Sequence, residues 1–230
     1  AFIFLGASVM DNVIDATFTG DSIYSYIGNS VACAGDLNGD GYSDVIVGNS
    51  THLNSNLGRG EAYIFFGGSL IDNVKDVTLT GETYNSYFGY SVSSAGDFNS
   101  DGFSDVVIGA NGYNAGSGRS YVYFGGSMMN SFPDVIITGE YNSGLGNSVA
   151  CAGDVNADGY TDIIIGAGAY SSNKGKAYIF YGGTNPDDAA DVTMTGVTSE
   201  NLGNSVSSAG DINGDGYSDV IVGANGYSVN

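Results

Sequence analysis

The chain has 230 residues, 42% of them hydrophobic, which is enough to build a substantial core. Its 25 acidic residues against 5 lysines and arginines give a formal net charge of −20, which excludes nucleic acids and anionic membrane surfaces as partners. It contains no apolar run long enough for membrane insertion. The 38 glycines, 17 tyrosines and 11 phenylalanines, with only 2 prolines, favour many short strands joined by tight turns.

Three markers recur in a fixed order, so the chain contains four copies of one unit. The first is an aromatic-rich segment, at 1–7, 61–68, 119–126 and 176–183. The second is a β-branched segment ending in Thr-Gly, at 15–20, 76–81, 134–139 and 191–196. The third is an acidic loop between small residues and a second β-branched segment, starting at Ala34, Ala95, Ala152 and Ala209.

Each unit predicts four short strands, because its β-branched and aromatic segments are bounded by Gly, Asn, Asp and Ser. In the first complete unit the predicted strands cover 30–35, 44–48, 62–67 and 76–81. Four strands in roughly 40–60 residues are typical of a propeller blade. We therefore predict an all-β fold, a β-propeller of four four-stranded blades that forms a single domain over 1–230.

The order of the markers predicts how the ring closes. The chain starts in the third strand of one unit and stops before the equivalent position of another, so its first and last strands are expected to share a composite blade. The small residues of the first strands, VACAG or VSSAG, suit an innermost position at the axis. Half of a larger ring and part of a polymer are the alternatives.

The acidic loop reads Asp-x-Asn-x-Asp-Gly-x-x-Asp in all four units. Calcium takes about six to eight oxygen ligands, which alternate side chains of a tight loop can supply. We therefore predict four Ca²⁺ sites, with position seven contributing its backbone carbonyl while its ring packs in the core. The predicted ligands are Asp36, Asn38, Asp40, Tyr42 and Asp44; Asp97, Asn99, Asp101, Phe103 and Asp105; Asp154, Asn156, Asp158, Tyr160 and Asp162; and Asp211, Asn213, Asp215, Tyr217 and Asp219.

Two other interpretations of this loop exist. An EF-hand needs a bidentate Glu at position twelve, which here is Val47, Ile108, Ile165 or Val222. Metal-free turns are also rich in Asp, Asn and Gly, because these side chains bind nearby backbone groups. Four copies with every ligand position filled favour calcium over turn chemistry.

These motifs together resemble the FG-GAP repeats of integrin α-subunit propellers. The resemblance rests on the acidic loop, on Gly-Ala at 109–110, 166–167 and 223–224, and on the pairs Ile27-Gly28, Phe88-Gly89, Leu145-Gly146 and Leu202-Gly203. It implies four-stranded blades that hold calcium between their first and second strands, in extracellular proteins that bind protein or glycan ligands. The first unit departs from the pattern with Gly48-Asn49, the Pro of the motif is missing, and integrin propellers have more than four blades.

The sequence offers few residues that could together form a catalytic site. The one histidine, His52, lies in a polar loop and is expected to face solvent, and the many serines have no partner histidine at matching positions of the units. A structural role in turns is expected for the acids that precede the fourth strands, Asp15, Asp76, Asp134 and Asp191. Solvated loop charges are expected for Arg59, Arg119, Lys174 and Lys176, with balancing of nearby acids or a subunit contact as the alternatives.

The aromatic and cysteine residues allow three further expectations. Aromatic residues of the third strands should lie in the core, namely Phe4, Phe65, Tyr123 and Phe180. Loop tyrosines should be free for contacts, namely Tyr84, Tyr113, Tyr141, Tyr170 and Tyr227. Cys33 and Cys151 are expected to be buried free thiols rather than a disulfide.

The sequence as a whole favours a calcium-stabilised, non-enzymatic binding or adhesion module that recognises a protein or a glycan outside the cell. A self-assembling subunit of an extracellular fibre or surface layer is the alternative. A domain of a secreted hydrolase or lyase is the minor one.

Overall fold

The computed structural model describes residues 1–20, 25–50 and 58–226. Its strands are β1 (Phe2–Ile3), β2 (Ala16–Thr17), β3 (Ser30–Gly35), β4 (Asp44–Asn49), β5 (Glu61–Phe65), β6 (Val77–Thr80), β7 (Ser91–Gly96), β8 (Asp105–Ala110), β9 (Arg119–Tyr123), β10 (Val135–Thr138), β11 (Ser148–Gly153), β12 (Asp162–Ala167), β13 (Lys176–Phe180), β14 (Val192–Thr195), β15 (Leu202–Gly210) and β16 (Asp219–Ala224). Two helical turns, α1 (Tyr113–Gly116) and α2 (Tyr170–Asn173), contain residues with positive φ, so neither is a regular helix. Within these ranges, none of the helices could span a membrane.

The strands form three complete blades and two half-blades. β3–β6, β7–β10 and β11–β14 are four-stranded antiparallel sheets, whereas β1–β2 and β15–β16 are two-stranded. The first strands β3, β7, β11 and β15 contact one another in succession, which places the small residues innermost. The prediction of an all-β propeller fold built from four-stranded blades is confirmed, and the strand bounds of the first complete blade differ from the predicted ones by at most two residues.

The expected composite blade is absent from the described residues, so this part of the prediction was wrong. The β1–β2 hairpin packs on the first complete blade, where the rings of Phe18 and Phe65 stack with centroids 3.8 Å apart. The β15–β16 hairpin packs on the third complete blade through β11. Because each blade packs on the next one along the chain, the two hairpins lie at the two ends of the row of blades, and no sheet joins them.

Aromatic residues of the third strands fill the core of the complete blades. Phe65, Tyr123 and Phe180 are each at least 96% buried, as predicted. Phe4 is 43% exposed, which contradicts the prediction. Phe4 lies just beyond β1. The β1–β2 sheet lacks the first and second strands of a complete blade, so those strands do not cover the Phe4 ring.

Consecutive blades approach most closely where glycine of one meets glycine of the next. A Cβ added to Gly48 would lie 2.1 Å from the carbonyl oxygen of Gly89, and one added to Gly109 would lie 2.0 Å from that of Gly146. Gly166 has the same relation to Gly203, at 2.0 Å. The glycines of the Phe-Gly-like and Gly-Ala pairs are therefore required by backbone contact between blades.

Gly109→Ala is expected to lower the free energy of unfolding by roughly 1–3 kcal/mol, because its methyl group would meet the Gly146 carbonyl and the blades would have to separate. Gly68→Ala is the matched control, since the nearest atom to an added Cβ there is 3.6 Å away. Urea unfolding of both variants measures the difference. Equal free energies of unfolding would contradict the close approach.

Candidate functional site: the acidic loops

The four acidic loops connect the innermost strand of each blade to the second. Position nine is the first residue of β4, β8, β12 and β16. In an antiparallel blade the first-to-second and third-to-fourth connections lie at the same end. All four loops therefore lie at one end of their blades, beside the β5–β6, β9–β10 and β13–β14 connections.

The Asp at position one organises the loop around its carboxylate. Asp36 Oδ1 accepts hydrogen bonds from the backbone N–H of Gly39 and Asp40, and Oδ2 accepts one from Gly41 at 2.9 Å. Asp97, Asp154 and Asp211 accept the equivalent position-six bond at 3.1, 2.9 and 2.9 Å. These donors hold the pKa of the Asp211 carboxyl below its usual range.

The side chains at positions three and five touch each other in every loop. Asn38 Nδ2 donates to Asp40 Oδ2 at 3.0 Å, and the equivalent distances in the other loops are 2.9, 2.7 and 2.9 Å. The Asp at position five also accepts the backbone N–H of position seven, as in Tyr42 to Asp40 Oδ1 at 2.9 Å. The side chains at positions one, three and five therefore lie around the same short stretch of loop backbone.

The Asp at position nine is buried in the three complete blades, where its carboxylate accepts hydrogen bonds from backbone N–H groups of the loop and of the following turn; Asp219 of the half-blade is half-buried. Asp105 Oδ2 accepts the N–H of Phe98 at 2.8 Å, while Oδ1 accepts that of Gly125 at 2.8 Å. Asp44 and Asp162 make the equivalent pairs of bonds. Burial raises the pKa of Asp105 to about 7, and it also raises those of Asp44 and Asp162.

The ring at position seven does not lie in the core, which corrects the prediction. Tyr42 and Tyr217 are 47% and 48% exposed, and Phe103 and Tyr160 are half-buried. The Phe103 ring lies against Gly39 of the preceding loop, where an added Cβ would come within 2.6 Å of Cε1. This aromatic ring packs across the junction between blades because the loop projects beyond the sheet.

Backbone hydrogen bonds tie the first three loops to the blade that follows each of them. The N–H of Ser104 donates to the Asp36 carbonyl at 3.0 Å, and that of Ser218 donates to the Asp154 carbonyl at 2.8 Å. Gly126 and Gly183 donate to the carbonyls of Leu37 and Phe98 at 2.7 and 2.9 Å. The conformation of an acidic loop therefore decides how the next blade docks.

The predicted ligands lie together in four loops, yet they do not form a closed metal cage. Within the described ranges, no group of three or more His, Cys, Asp or Glu side chains is placed to hold a metal ion. The position-nine carboxylates point at backbone N–H groups of their own loop and of the following turn. The charges of Asp40 and Asp36 nevertheless contribute to the raised pKa of Asp44, so the three carboxylates share one negative region.

The repeats match a known family over more than half of the chain. The FG-GAP repeat model matches residues 28–65, 88–123, 145–180 and 202–230. The chain belongs to the FG-GAP repeat family. The resemblance predicted from the motifs is therefore confirmed.

Several curated relatives are integrin α chains. Integrin alpha-5 of Xenopus laevis is 37% identical over 222 residues, which cover 88% of this chain and 20% of the relative. Integrin alpha-8 of Homo sapiens is 34% identical over 222 residues, with coverage of 88% and 20%. Integrin alpha-IIb of Mus musculus is 33% identical over 170 residues, with coverage of 69% and 16%. The chain spans about a fifth of the length of these relatives.

Two basic residues predicted to be solvated instead join neighbouring FG-GAP blades. Arg119 forms a 2.6 Å ion pair with Glu82 of the preceding turn, and its guanidinium lies 3.8 Å from the ring centroid of Tyr113. Lys176 repeats this arrangement one blade later with Glu140 and Tyr170. Balancing of nearby acids, the alternative left open by the sequence, is correct for both residues.

The acids before the fourth strands have the structural role predicted for them. Asp15, Asp76, Asp134 and Asp191 each accept the N–H of the residue ten positions earlier, at 2.7–2.8 Å. Of the loop tyrosines, Tyr84 and Tyr141 are exposed, as predicted. His52 and Tyr227 lie outside the described residues.

Both cysteines are free thiols, as expected. The expectation of burial fails for Cys33, which is exposed because β3 has no inner strand of an earlier blade beside it. Cys151 is half-buried in the equivalent position of the third complete blade, and burial raises the pKa of its thiol.

One set of interface residues was missed from the sequence. Asn29 Nδ2 donates to the carbonyls of Gly89 and Tyr90, while its Oδ1 accepts the N–H of Ser50. Asn147 repeats these bonds between the third complete blade and the β15–β16 half-blade. The sequence did contain a sign of these interface residues, because Gly-Asn-Ser recurs at the same position in three of the four units.

The raised pKa of Asp105 gives a pH dependence that can be measured in chelator. The usual carboxyl pKa in an unfolded chain is about 3.9, so between that value and about 7 the folded protein keeps a proton that the unfolded chain releases. The stability contributed by this group is therefore present at low pH and is lost as pH rises towards 7. Asp105→Asn does not titrate, so the wild-type free energy of unfolding minus that of the variant should shrink over this range. A difference independent of pH in urea titrations at several pH values would contradict the raised pKa.

Proposed function

We propose that this chain is a calcium-stabilised binding module of adhesion type, outside the cell, that recognises a protein or a glycan and is not an enzyme. The observation that carries the proposal is the acidic loop, repeated with the same hydrogen bonds in all four units and tied to the next blade. The similarity to integrin α chains over most of the sequence supports the adhesion role. The four units act as a single domain, because each one packs on its neighbours.

The chemistry of the loop fits calcium. Rotating the Asn38 amide by 180° exchanges its nitrogen and oxygen, which places an amide oxygen about as far from Asp40 Oδ2 as the nitrogen now is, 3.0 Å. Such a pair can share one cation at the roughly 2.3–2.6 Å distances of calcium. The N–H of Asp40 keeps Asp36 Oδ1 as an acceptor after the rotation. Asp36, Asn38, Asp40, Asp44 and the Tyr42 carbonyl would hold the ion, with the same positions serving in the other loops.

The ligand face is proposed at the opposite end of the blades. The second-to-third and fourth-to-first connections meet there, and they carry the exposed rings of Tyr84 and Tyr141. Loops on a rigid scaffold are the usual place for recognition, and tyrosine offers a large contact area with little conformational freedom to lose. Calcium at one end would thus stabilise the blades while the ligand binds at the other.

Chelation is expected to lower the melting temperature by several degrees. Extracellular calcium modules bind with dissociation constants on the order of 10⁻⁴ to 10⁻³ M. Calcium at about 10 mM should therefore add about 1.4–2.7 kcal/mol for each site it fills. Differential scanning calorimetry with calcium and with EDTA measures the effect. Identical melting curves would contradict the proposal.

Removing one position-five carboxylate tests the sites one at a time. Asp101→Ala is expected to reduce the number of calcium ions bound in calorimetric titration by about one. Asp72→Ala is the control, because it removes an exposed carboxylate outside the acidic loops that accepts a local hydrogen bond from the Val74 N–H. If both variants bind as many ions as the wild type, the assignment of the ligands is wrong.

Self-association is a second candidate function, favoured by two unpaired strand edges. In the complete blades the second strand pairs on both sides. Among the described residues, β16 pairs only with β15, and β1 pairs only with β2. Free strand edges are templates for pairing with another chain. A second copy could place its β1–β2 hairpin beside β16 and continue the row of blades.

Light scattering coupled to size-exclusion chromatography distinguishes the two candidates. Self-association through these edges predicts a mass that grows with protein concentration, and Ile221→Lys in the exposed centre of β16 should reduce that growth. A concentration-independent monomer would contradict self-association and leave the binding module.

A further inference from the structure

A cleft at the end of the blades opposite the acidic loops differs from the rest of the repeat pattern. It lies between the first and second complete blades and is lined by Ser50, Tyr87, Tyr90, Asn111 and Gly112. It has a volume of about 320 Å³. This is at the lower end of the range of small-molecule sites, so it suits one ring rather than an extended ligand. These residues come from three different connections, β4–β5, β6–β7 and β8–β9.

The cleft depends on a substitution confined to one unit. Asn29, Asn147 and Asn204 occupy one position of the repeat, which in the second unit is Tyr90. Asn29 and Asn147 use their side chains to join neighbouring blades. Tyr90 cannot make those bonds because it has no side-chain amide group. In this unit the hydroxyl of the next residue, Ser91 Oγ, donates to the Gly146 carbonyl at 2.8 Å. The position that joins blades elsewhere therefore presents an aromatic ring here, 45% exposed.

A second ring, that of Tyr87, is held in place beside it. A Cβ added to Gly112 would lie 2.4 Å from Tyr87 Cδ2, so the ring packs directly on the glycine backbone. The N–H of Gly112 donates to the Ser86 carbonyl at 3.1 Å, and the N–H of Tyr90 donates to the Tyr87 carbonyl at 3.0 Å. Tyr87 is still 39% exposed, so both rings are available to a ligand.

An amide oxygen in the lining has no partner. Asn111 Oδ1 is buried, and among the described residues no donor reaches it, which is destabilising for a polar atom removed from water. The terminal torsion of Asn has broad, shallow wells. A small rotation would therefore turn this oxygen towards a hydroxyl donor in the cleft and relieve the penalty.

The described residues that line the cleft carry no charge. A cationic ligand would find no counter-charge among them, and an anionic ligand would find none either while approaching a chain of net charge −20. The lining favours a neutral ligand with an apolar face for the tyrosine rings and a hydroxyl for Asn111. A pyranose ring has both, since its C–H face meets the electron-rich face of an aromatic ring.

We propose that this cleft binds one ring of a neutral sugar. The proposal deepens the binding function proposed above by naming its ligand class and site, and it rests on that function but not on calcium. Tyr87 and Tyr90 form the platform, Asn111 Oδ1 accepts a sugar hydroxyl, and Ser50 closes the side of the cleft towards the first complete blade.

The test is saturation-transfer NMR and calorimetry on the full 230-residue chain in excess calcium. The probes are the methyl glycosides of glucose, galactose, mannose and N-acetylglucosamine, with sialic acid and arginine amide as charged comparators. At least one neutral glycoside should bind, with stronger saturation of its C–H face. Tyr90→Asn, which restores the residue of the other units, should weaken that binding by at least about tenfold, while Tyr90→Phe should keep it within about threefold. Phe132→Ala, which removes an exposed aromatic ring in the β9–β10 connection at the acidic-loop end of the blades, should leave it unchanged.

Three results would overturn the proposal: no neutral glycoside binds, Tyr90→Asn binds as tightly as the wild type, or only a charged comparator binds. Melting temperatures of the variants exclude misfolding as the cause of a loss. Calcium-dependent melting without sugar binding removes this proposal and leaves the calcium module. Sugar binding without calcium-dependent melting does the reverse.

Discussion

The fold depends on close backbone contact between consecutive blades. Gly48 and Gly89, and equally Gly109 and Gly146, meet at distances that no side chain could share. Each contact joins the end of one blade's second strand to the start of the next blade's first strand. The Phe-Gly and Gly-Ala motifs of the family are therefore two sides of one interface, even though they lie far apart in the repeat.

The opposite end of the blades is held by polar groups. The acidic loops fold around the position-one carboxylates, and their backbone carbonyls accept hydrogen bonds from the next blade, as Asp36 does from Ser104. Such loops gather carboxylates where they repel one another, and burial raises the pKa of Asp44, Asp105 and Asp162. A divalent cation would offset that repulsion and strengthen the same contacts. The blade interface thus has a glycine-lined end, where Asn29 and Arg119 add polar contacts, and an opposite end held by the acidic loops.

The repeat pattern was sufficient to predict the strands, their order within a blade and the placement of the acidic loops, because all three are local to one unit. The composite blade was not predictable, since closure depends on how neighbouring blades pack on each other, and such packing involves contacts between units, for example Phe103 against Gly39. The partners of Arg119 and Lys176 were missed for a related reason: Glu82 and Glu140 belong to the preceding turn. Periodicity locates the residues of such contacts, as Gly-Asn-Ser does for Asn29 and Asn147, but it does not show which unit supplies the partner.

The pattern shared by the repeats explains the fold. A position at which one repeat departs from that pattern therefore needs an explanation of its own. In the first unit Asn49 replaces the alanine of the motif, is fully buried and accepts the N–H of Tyr26, so this departure is structural. In the second unit Tyr90 replaces an asparagine that joins blades, and its ring is partly exposed beside an amide oxygen without a partner. The first substitution satisfies polar groups, whereas the second gives up interblade hydrogen bonds and opens a cleft. A change that sacrifices contacts within the protein to present a ring to solvent is better explained by a ligand than by stability.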